Sequence, residues 1–338
     1  MPRLVVRSVQ ATDLNVVLEI ARETGPGFNS LPNNFNTIES KITHSLESFS
    51  EKNEPHQRLY FFVMAEDETQ AIAGTAGIEA SVGHTWPYYK FHVSTLAQVS
   101  KRLKTTHEHL ILHVSSDYNN ATELGALYLR PEYRGHGYGG FLSRARCLFI
   151  AAFPHLFSPT IIADMRGISV DGISPFWEEV GFRFFGINYE EASYLKATEG
   201  SQLLADLLAH YPLYADFFSK DARNAIGKTH VWAVPALQVL TKEGFTFNQY
   251  IDVFDGGPII EVLREDLKTV RLSKRTRVKA FKKKIDSGKK VIIANTKLDF
   301  RATLSTLEIT STGEVVLEDS LGEILNIGIG EEIVYCSL

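Results

Sequence analysis

Cysteine is nearly absent from this chain: Cys147 and Cys336 are the only two in 338 residues. Two thiols so far apart build neither a disulfide framework nor a metal knuckle. No metal site is therefore expected, and such sparing use of cysteine fits a reducing, cytoplasmic setting. Long apolar runs are missing as well. None approaches the ~20 residues needed to cross a bilayer, so no membrane partner is expected. The opening stretch MPRLVVRSVQATDL reads as a strand followed by a helix cap, without the apolar core of a signal peptide. An excess of positive charge is also lacking. The 35 Lys and Arg stand against 40 Asp and Glu, a net charge of −5, which argues against nucleic acid as a partner. What is present is ordinary for a soluble globular protein: 44% hydrophobic and 22% charged residues. That suffices for sizeable cores, and the length favours about two domains.

Residues 3–9 alternate as a strand. Thr12 and Asp13 are placed to cap a helix through LNVVLEIARET, which GPG at 25–27 ends. A second helix is expected at about 36–49, followed by strands in RLYFFVMAED, AIAGTAGIEASVG, HEHLILHVSS and TELGALYLR. A glycine-rich turn, the helix FLSRARCLFIAAFPHLF and the strand IIADMRG come next. SPFWEEVGFRFFG reads as a short helix followed by a strand. This succession predicts a mixed α/β layered domain over 1–190.

Residues 191–265 continue with amphipathic helices, in EEASYLKATEGSQLLADLLAHY and LYADFFSKDARNAIG. VPALQVLTKEGFTFNQYI then echoes SPFWEEVGFRFFG, which allows a degenerate second copy of that helix–strand unit. From 271 to 290 ten Lys and Arg oppose one Asp. This stretch reads as a solvated helix or connector, with a landing strip for a polyanion as the alternative. VIIANTK, RATLSTLEIT, STGEVVLE and EIVYCSL alternate as strands, so 266–338 reads as a basic connector and a small C-terminal β module.

The turn in LRPEYRGHGYGG fits two motifs. GHGYGG matches the dinucleotide fingerprint G-x-G-x-x-G, whereas Arg134-x-x-Gly137-x-Gly139 matches a pyrophosphate clamp for coenzyme A. Both grip phosphate with backbone N–H groups at a helix N-terminus. A dinucleotide turn directly follows an early strand and has an acidic residue about 20 positions on. Here several strands come first, Arg-Pro-Glu-Tyr-Arg separates strand from glycine, and the first acidic residue afterwards is Asp164. The coenzyme A frame explains more letters: Arg134 supplies charge, while Gly135, Gly137 and Gly139 let the backbone approach phosphate oxygens. The strand through Leu127 and Leu129 can pair with a pantetheine arm as an added strand would.

LYLRPEYRGHGYG therefore resembles the central motif of the GNAT N-acetyltransferase superfamily, and SPFWEEVGFRFFG resembles the helix–strand segment that closes its coenzyme A site. More narrowly, RETGPGFNSLP, AGIEASVG, STLAQVSK, TELGALYLRPEYRGHGYG, FLSRARCLFIAAF, ADMRG, GISPFWEEVGFRFF and YIDVFDGGPIIE, in this order, resemble the bacterial arginine N-succinyltransferase family over essentially the whole chain. The resemblance implies a GNAT-like acyl-CoA domain at 1–190, a second GNAT-like half at 191–265 and the C-terminal module. It implies transfer of succinyl from succinyl-CoA, a co-substrate rather than a resident cofactor, to L-arginine at the entry of arginine catabolism. It makes Leu127 part of the succinyl-CoA strand and His230, in GKTHVWAVPA, the proton donor. In this superfamily the loop after the first helix lines the acceptor pocket, which brings in Ser30.

The chemistry needs a neutral amine, a polarised thioester carbonyl and a proton for the departing thiolate. Glu123 is the rival base to His230, and the N–H of Leu127 or a neighbour is the expected oxyanion donor. Arg166 and Arg183 are candidates for the distal succinyl carboxylate; Asp252 and Asp255 are candidates for the guanidinium of arginine, or else turn-forming aspartates. No Ser-His-Asp arrangement is seen and Cys147 sits in an apolar helix, so direct transfer is expected. Two departures stand out. Ser115-Ser116-Asp117-Tyr118 replaces the family's Ser-Asn-Asp-His, leaving another acceptor such as ornithine open, and Trp177 occupies the position of the superfamily's tyrosine acid. A non-catalytic subunit that binds coenzyme A is the alternative of another class. A homodimer and a hetero-oligomer with a paralogous subunit both remain open.

Overall fold

One strand with two apolar faces organises the molecule. In β2 (Leu59–Glu66) Phe61, Val63 and Ala65 turn one way, to Val17 and Ile20 of α1 (Leu14–Thr24) and Ile38 and Ile42 of α2 (Phe35–Phe49). Tyr60, Phe62 and Met64 turn the other way, to Leu142, Ala145 and Phe149 of α3 (Tyr138–Ala152). This period-two alternation of buried side chains makes the strand the middle layer of an α/β/α sandwich. Each such side chain, fully buried, stabilises the fold by about 1.5–3 kcal/mol.

The computed structural model describes residues 2–25, 27–199 and 211–338. Its other strands are β1 (Leu4–Ser8), β3 (Ile72–Glu79), β4 (Lys90–Ser100), β5 (Thr105–Ser115), β6 (Thr122–Leu129), β7 (Thr160–Asp164), β8 (Leu213–Tyr214), β9 (Thr246–Ile251), β10 (Pro258–Leu263), β11 (Lys274–Lys282), β12 (Lys289–Asn295), β13 (Arg301–Ile309), β14 (Val315–Glu318) and β15 (Glu332–Ser337). One sheet runs β1-β2-β3-β6-β7-β10-β9-β4-β5-β8. Its neighbours are antiparallel except β6 and β7, which are parallel and pair only at Thr122–Ile161 and Glu123–Ile162. Beyond Glu123 the two strands pair no further among the described residues, and β6 keeps an open edge.

On the far side of β1, β13 carries the sheet into a five-stranded barrel. Its order β13-β12-β15-β11-β14 closes on β13 again. The interior is apolar, with Val278, Ile293, Leu307, Leu317 and Ile333 buried together. α3 is buried almost all round because it packs on both the sheet and the barrel. No described helix is long and apolar enough to cross a membrane.

Several expectations are corrected. SPFWEEVGFRFFG contains no strand: Pro175–Trp177, Glu178–Phe182 with π pitch and Arg183–Phe185 form one helical stretch. It is therefore not a helix–strand unit, whereas VPALQVLTKEGFTFNQYI is one, with a helix Val234–Lys242 leading into β9. The basic stretch at 271–290 is mostly strand, β11 and the start of β12, held by barrel pairing. Asp13 does not cap α1 through its side chain; it forms a buried ion pair with Arg7 at 2.8 Å and accepts the Gln10 N–H at 2.7 Å. β4 was not foreseen, since its outer half is exposed on both faces and shows no apolar alternation. Sheet pairing crosses both expected domain boundaries, with β10 on β7 and β13 on β1. The expected helix through 190–211 begins as α4 (Tyr189–Glu199), and its remainder to residue 210 lies outside the described residues.

Candidate active site

The glycine turn presents its backbone to solvent. Gly135 and Gly137 have φ of 86° and 80°, a region that other residues enter at a cost. A Cβ at either would meet no atom within 4 Å, so backbone conformation and not crowding demands glycine. Phe141 is the first residue of α3 to donate back, to Gly137 at 3.1 Å, and the N–H groups of Tyr138, Gly139 and Gly140 stay free for an anion. Exposed Arg134 stands beside them, its Nε donating to the Leu129 carbonyl at 2.9 Å.

β6 leads from this turn to the point where the sheet parts. A bulge shifts its register with β3 between Thr75 and Gly77, and Ala126 there has φ of 52°. Three side chains hold the bulge. Thr75 donates to the Ala126 carbonyl at 2.9 Å, Ser30 accepts the Ala126 N–H at 3.2 Å, and Arg146 donates to the carbonyls of Gly77 and Gly125 at 3.3 and 3.1 Å. The Arg130 N–H donates to Ala73 of the β3 side at 2.9 Å. By strand alternation the N–H groups of Leu129 and Leu127 therefore turn to the open edge. The β6 edge at Leu127, the parting point and, from the turn, Arg134 line one cleft of about 1190 Å³, with Ser30, Glu123, Arg166, Asp252 and Asp255 also on its wall. Leu129, Gly135, Gly137, Gly139 and His230 are not among its lining residues.

Glu123 sits where β6 and β7 separate, directly across from Glu79 on β3. Burial, and then the charges of Glu79 and Asp164, push its carboxyl up to about 7, a value suited to taking a proton at neutral pH. Behind it lies a buried ion cluster. Lys90 reaches Asp164 at 2.6 Å and Asp252 at 2.8 Å, and Lys196 reaches Asp252 at 2.9 Å. Burial alone would raise Asp252, but Lys196 and Lys90 hold it well below the carboxylate range. Asp252 also accepts the Phe254 N–H at 2.8 Å, so its oxygens are occupied. Asp255 accepts the N–H groups of Gly167 and Gly257 at 2.8 and 2.9 Å, and burial with the Asp252 charge pushes it up to about 7. Both aspartates border the cleft with their oxygens bonded within the protein.

His230 heads the short turn Val231–Ala233, whose Val231 and Trp232 line the cleft. Its Nδ1 accepts the Trp232 N–H at 3.2 Å and its own N–H donates to the Arg166 carbonyl at 2.8 Å. Burial and then the Arg166 charge lower its pKa below the usual 6.5, leaving the ring neutral at pH 7. Arg166 lies in the cleft against Trp232 and under Gly27, where an added Cβ would come within 3.1 Å of its Nε. That Nε is buried without a hydrogen-bond partner among the described residues.

The other expected residues fall elsewhere. Arg183 is on the exposed side of its helix, paired with Glu179 at 2.5 Å and outside the cleft lining, so it is corrected to a surface arginine. Trp177 is buried against Phe254 and donates to the Ile187 carbonyl. The position four before the Gly-Phe that does precede a strand is Leu240, an apolar cleft residue. The 115–118 loop lines a separate cavity of about 640 Å³, where Asp117 accepts from Tyr250 at 2.6 Å and Tyr118 donates to Glu261 at 2.5 Å. The Cys147 thiol is pushed up to about 12 by burial, which makes it a poor nucleophile. Lys90, Asp164, Lys196 and Arg146 had no signal in the sequence, because nothing in a lone basic or acidic residue tells that a distant segment will bury it.

Comparison with known proteins gives this geometry a family. The family described as arginine N-succinyltransferase beta subunit matches residues 4–269. Arginine N-succinyltransferase of Yersinia pestis (strain Pestoides F) is 37% identical over 341 residues, covering 98% of this chain and 97% of that protein. The Yersinia enterocolitica enzyme is 39% identical over 302 residues, 88% of each chain. Among solved structures, arginine/ornithine succinyltransferase subunit AI from Pseudomonas aeruginosa superposes with a TM-score of 0.89 at 29% identity, covering 100% of this chain and 99% of that one. The chain belongs to the arginine N-succinyltransferase family of acyltransferases.

Proposed function

We propose that the cleft lays succinyl-CoA along the open edge of β6 and transfers its succinyl group to the α-amino group of L-arginine. The observation that carries this reading is the place of the Glu123 carboxyl, on the cleft wall where β6 and β7 stop pairing and the open edge begins. The pyrophosphate rests on Arg134, Gly135, Gly137 and Gly139, and the pantetheine pairs with Leu127 and Leu129. Glu123 takes a proton from the arginine ammonium. The freed nitrogen attacks the thioester carbonyl, whose oxygen collects negative charge facing the Leu127 N–H. Neutral His230 then accepts the second proton from that nitrogen and passes it to the departing sulfur. The C–S bond breaks, giving N2-succinyl-L-arginine and the free thiol of coenzyme A. Ser30 fixes the bulge that aims the Leu127 N–H, and Arg166 meets a substrate carboxylate. Asp252 and Asp255, with Glu79 and Asp164, make an acidic wall that favours a cationic acceptor. The β4–β5 arm, with Val99 and Leu103 exposed at its tip, is the surface an oligomer would use. Two free buried thiols fit a cytoplasmic setting.

Release of the coenzyme A thiol should require succinyl-CoA and L-arginine together, with the succinylated amino acid identified by mass. Equal kcat/KM for acetyl-CoA would overturn the succinyl assignment, and equal turnover of ornithine the choice of acceptor.

A further inference from the structure

Two guanidinium groups border the cleft with a buried Nε–H that has no partner among the described residues: Arg166 and Arg146. Neither forms an ion pair with a described carboxylate. Arg146 is the more extreme, only 1% exposed. Its three hydrogen bonds all go to neutral acceptors, the carbonyls of Gly77 and Gly125 and the Ser143 hydroxyl at 3.0 Å. A buried charge without a counter-charge is unfavourable, and an anion arriving from the cleft would offset that cost.

The two arginines stand on opposite sides of β6. Arg146 rises from α3, on the side where Leu124, Leu127 and Leu129 pack. This is also the side of the glycine turn and its cofactor. Arg166 lies with the loop after α1, against Gly27. The proposed reaction brings two carboxylates into the cleft, one on each substrate. We propose that Arg146 receives the distal carboxylate of the acyl group and so selects dicarboxylic acyl-CoA thioesters, while Arg166 receives the α-carboxylate of the amino acid. This rests on the succinyl-transfer reading above.

The test compares succinyl-CoA with butyryl-CoA, which carries a methyl in place of the carboxylate. Arg146→Gln also loosens the bulge, so kcat/KM should fall with both thioesters, but about 100-fold or more further with succinyl-CoA than with butyryl-CoA, while the KM for arginine holds. Arg166→Gln should instead raise the KM for arginine and preserve the acyl preference. Equal losses for both thioesters in Arg146→Gln, or a preference lost only in Arg166→Gln, would overturn the assignment. Should Arg146→Gln fail to fold, Arg146→Met, which keeps the buried stem and removes the charge, provides the same ratio, and a ratio as in the unaltered enzyme would overturn the assignment. An unaltered enzyme without preference for succinyl-CoA would sink the underlying reading instead, so the two failures are distinguishable.

Discussion

The closed end of the sheet, at the barrel, and the parted strands in its middle solve opposite problems. At β13 the strands close on themselves, every barrel strand finds two neighbours, and the interior is purely apolar in its largest members. At β6 and β7 the pairing is abandoned after two residues, and the gap is surrounded by buried lysines, aspartates and arginines. Closed pairing yields stability without chemistry, because every backbone group is satisfied. Parting the strands gives up hydrogen bonds and leaves N–H groups and charges that a ligand must complete. Function resides where the sheet is least finished.

That contrast can be broken by substitution, and the largest effect should come at the parted strands. Glu123→Gln should lower kcat by about 10²- to 10⁴-fold. The rate of the unaltered enzyme should fall as pH drops through about 7, the value of Glu123, and the variant's pH–rate profile should lose that limb. At the closed end, Leu317→Ala empties a fully buried position and should cost about 2–5 kcal/mol in denaturant titration. Its kcat/KM should stay within about twofold, as expected for a site with no shared contacts. Gly137→Ala forces a side chain onto a φ of 80°. It should cost about 1–2 kcal/mol and raise the KM for acyl-CoA more than that for arginine.

A smaller effect has a definite sign. Folded Glu123 keeps its proton up to about 7, against an ordinary value of 4.5. Between these values the folded state binds more protons than the unfolded one, so stability falls as pH rises through the window. Glu123→Gln should remove this loss and melt higher than the unaltered protein at pH 8, by an amount on the order of 1–2 kcal/mol. Arg183→Ala, at an exposed surface pair, should change neither substrate's KM by more than about twofold; a larger change would return Arg183 to the site.

The open gap was the more legible in sequence, because ligand-gripping backbone demands unusual letters. Gly135 and Gly137 advertise positive φ, and the helix after them follows from its apolar face. Misreading arose where one motif serves two purposes. Gly244 has φ of 108° and ends its helix before β9. Gly181, in the other Gly-Phe pair, stays helical, and a Cβ there would come within 2.2 Å of the Trp177 ring. One glycine turns the chain, the other makes room for an indole, and the letters are identical. The charges behind Glu123 were illegible for another reason. Lys90 meets Asp164 and Asp252 from 74 and 162 residues away, and no local pattern records such a meeting. Arg144 and Arg146 look alike in LSRARC; only packing sends one to Glu243 and the other beneath the bulge.

The pairing of β1 with β13 also sets an order of events during synthesis. Val5 lies beside Thr303, so one edge of β1 waits for a partner 299 residues further along the chain, as the Thr303 bond to Leu4 marks. At about 5–20 residues per second, that wait lasts on the order of tens of seconds. Through it an apolar strand offers unsatisfied backbone groups to any neighbouring nascent chain. The barrel that seals this edge is therefore a late guard of the growing chain against pairing with the wrong molecule.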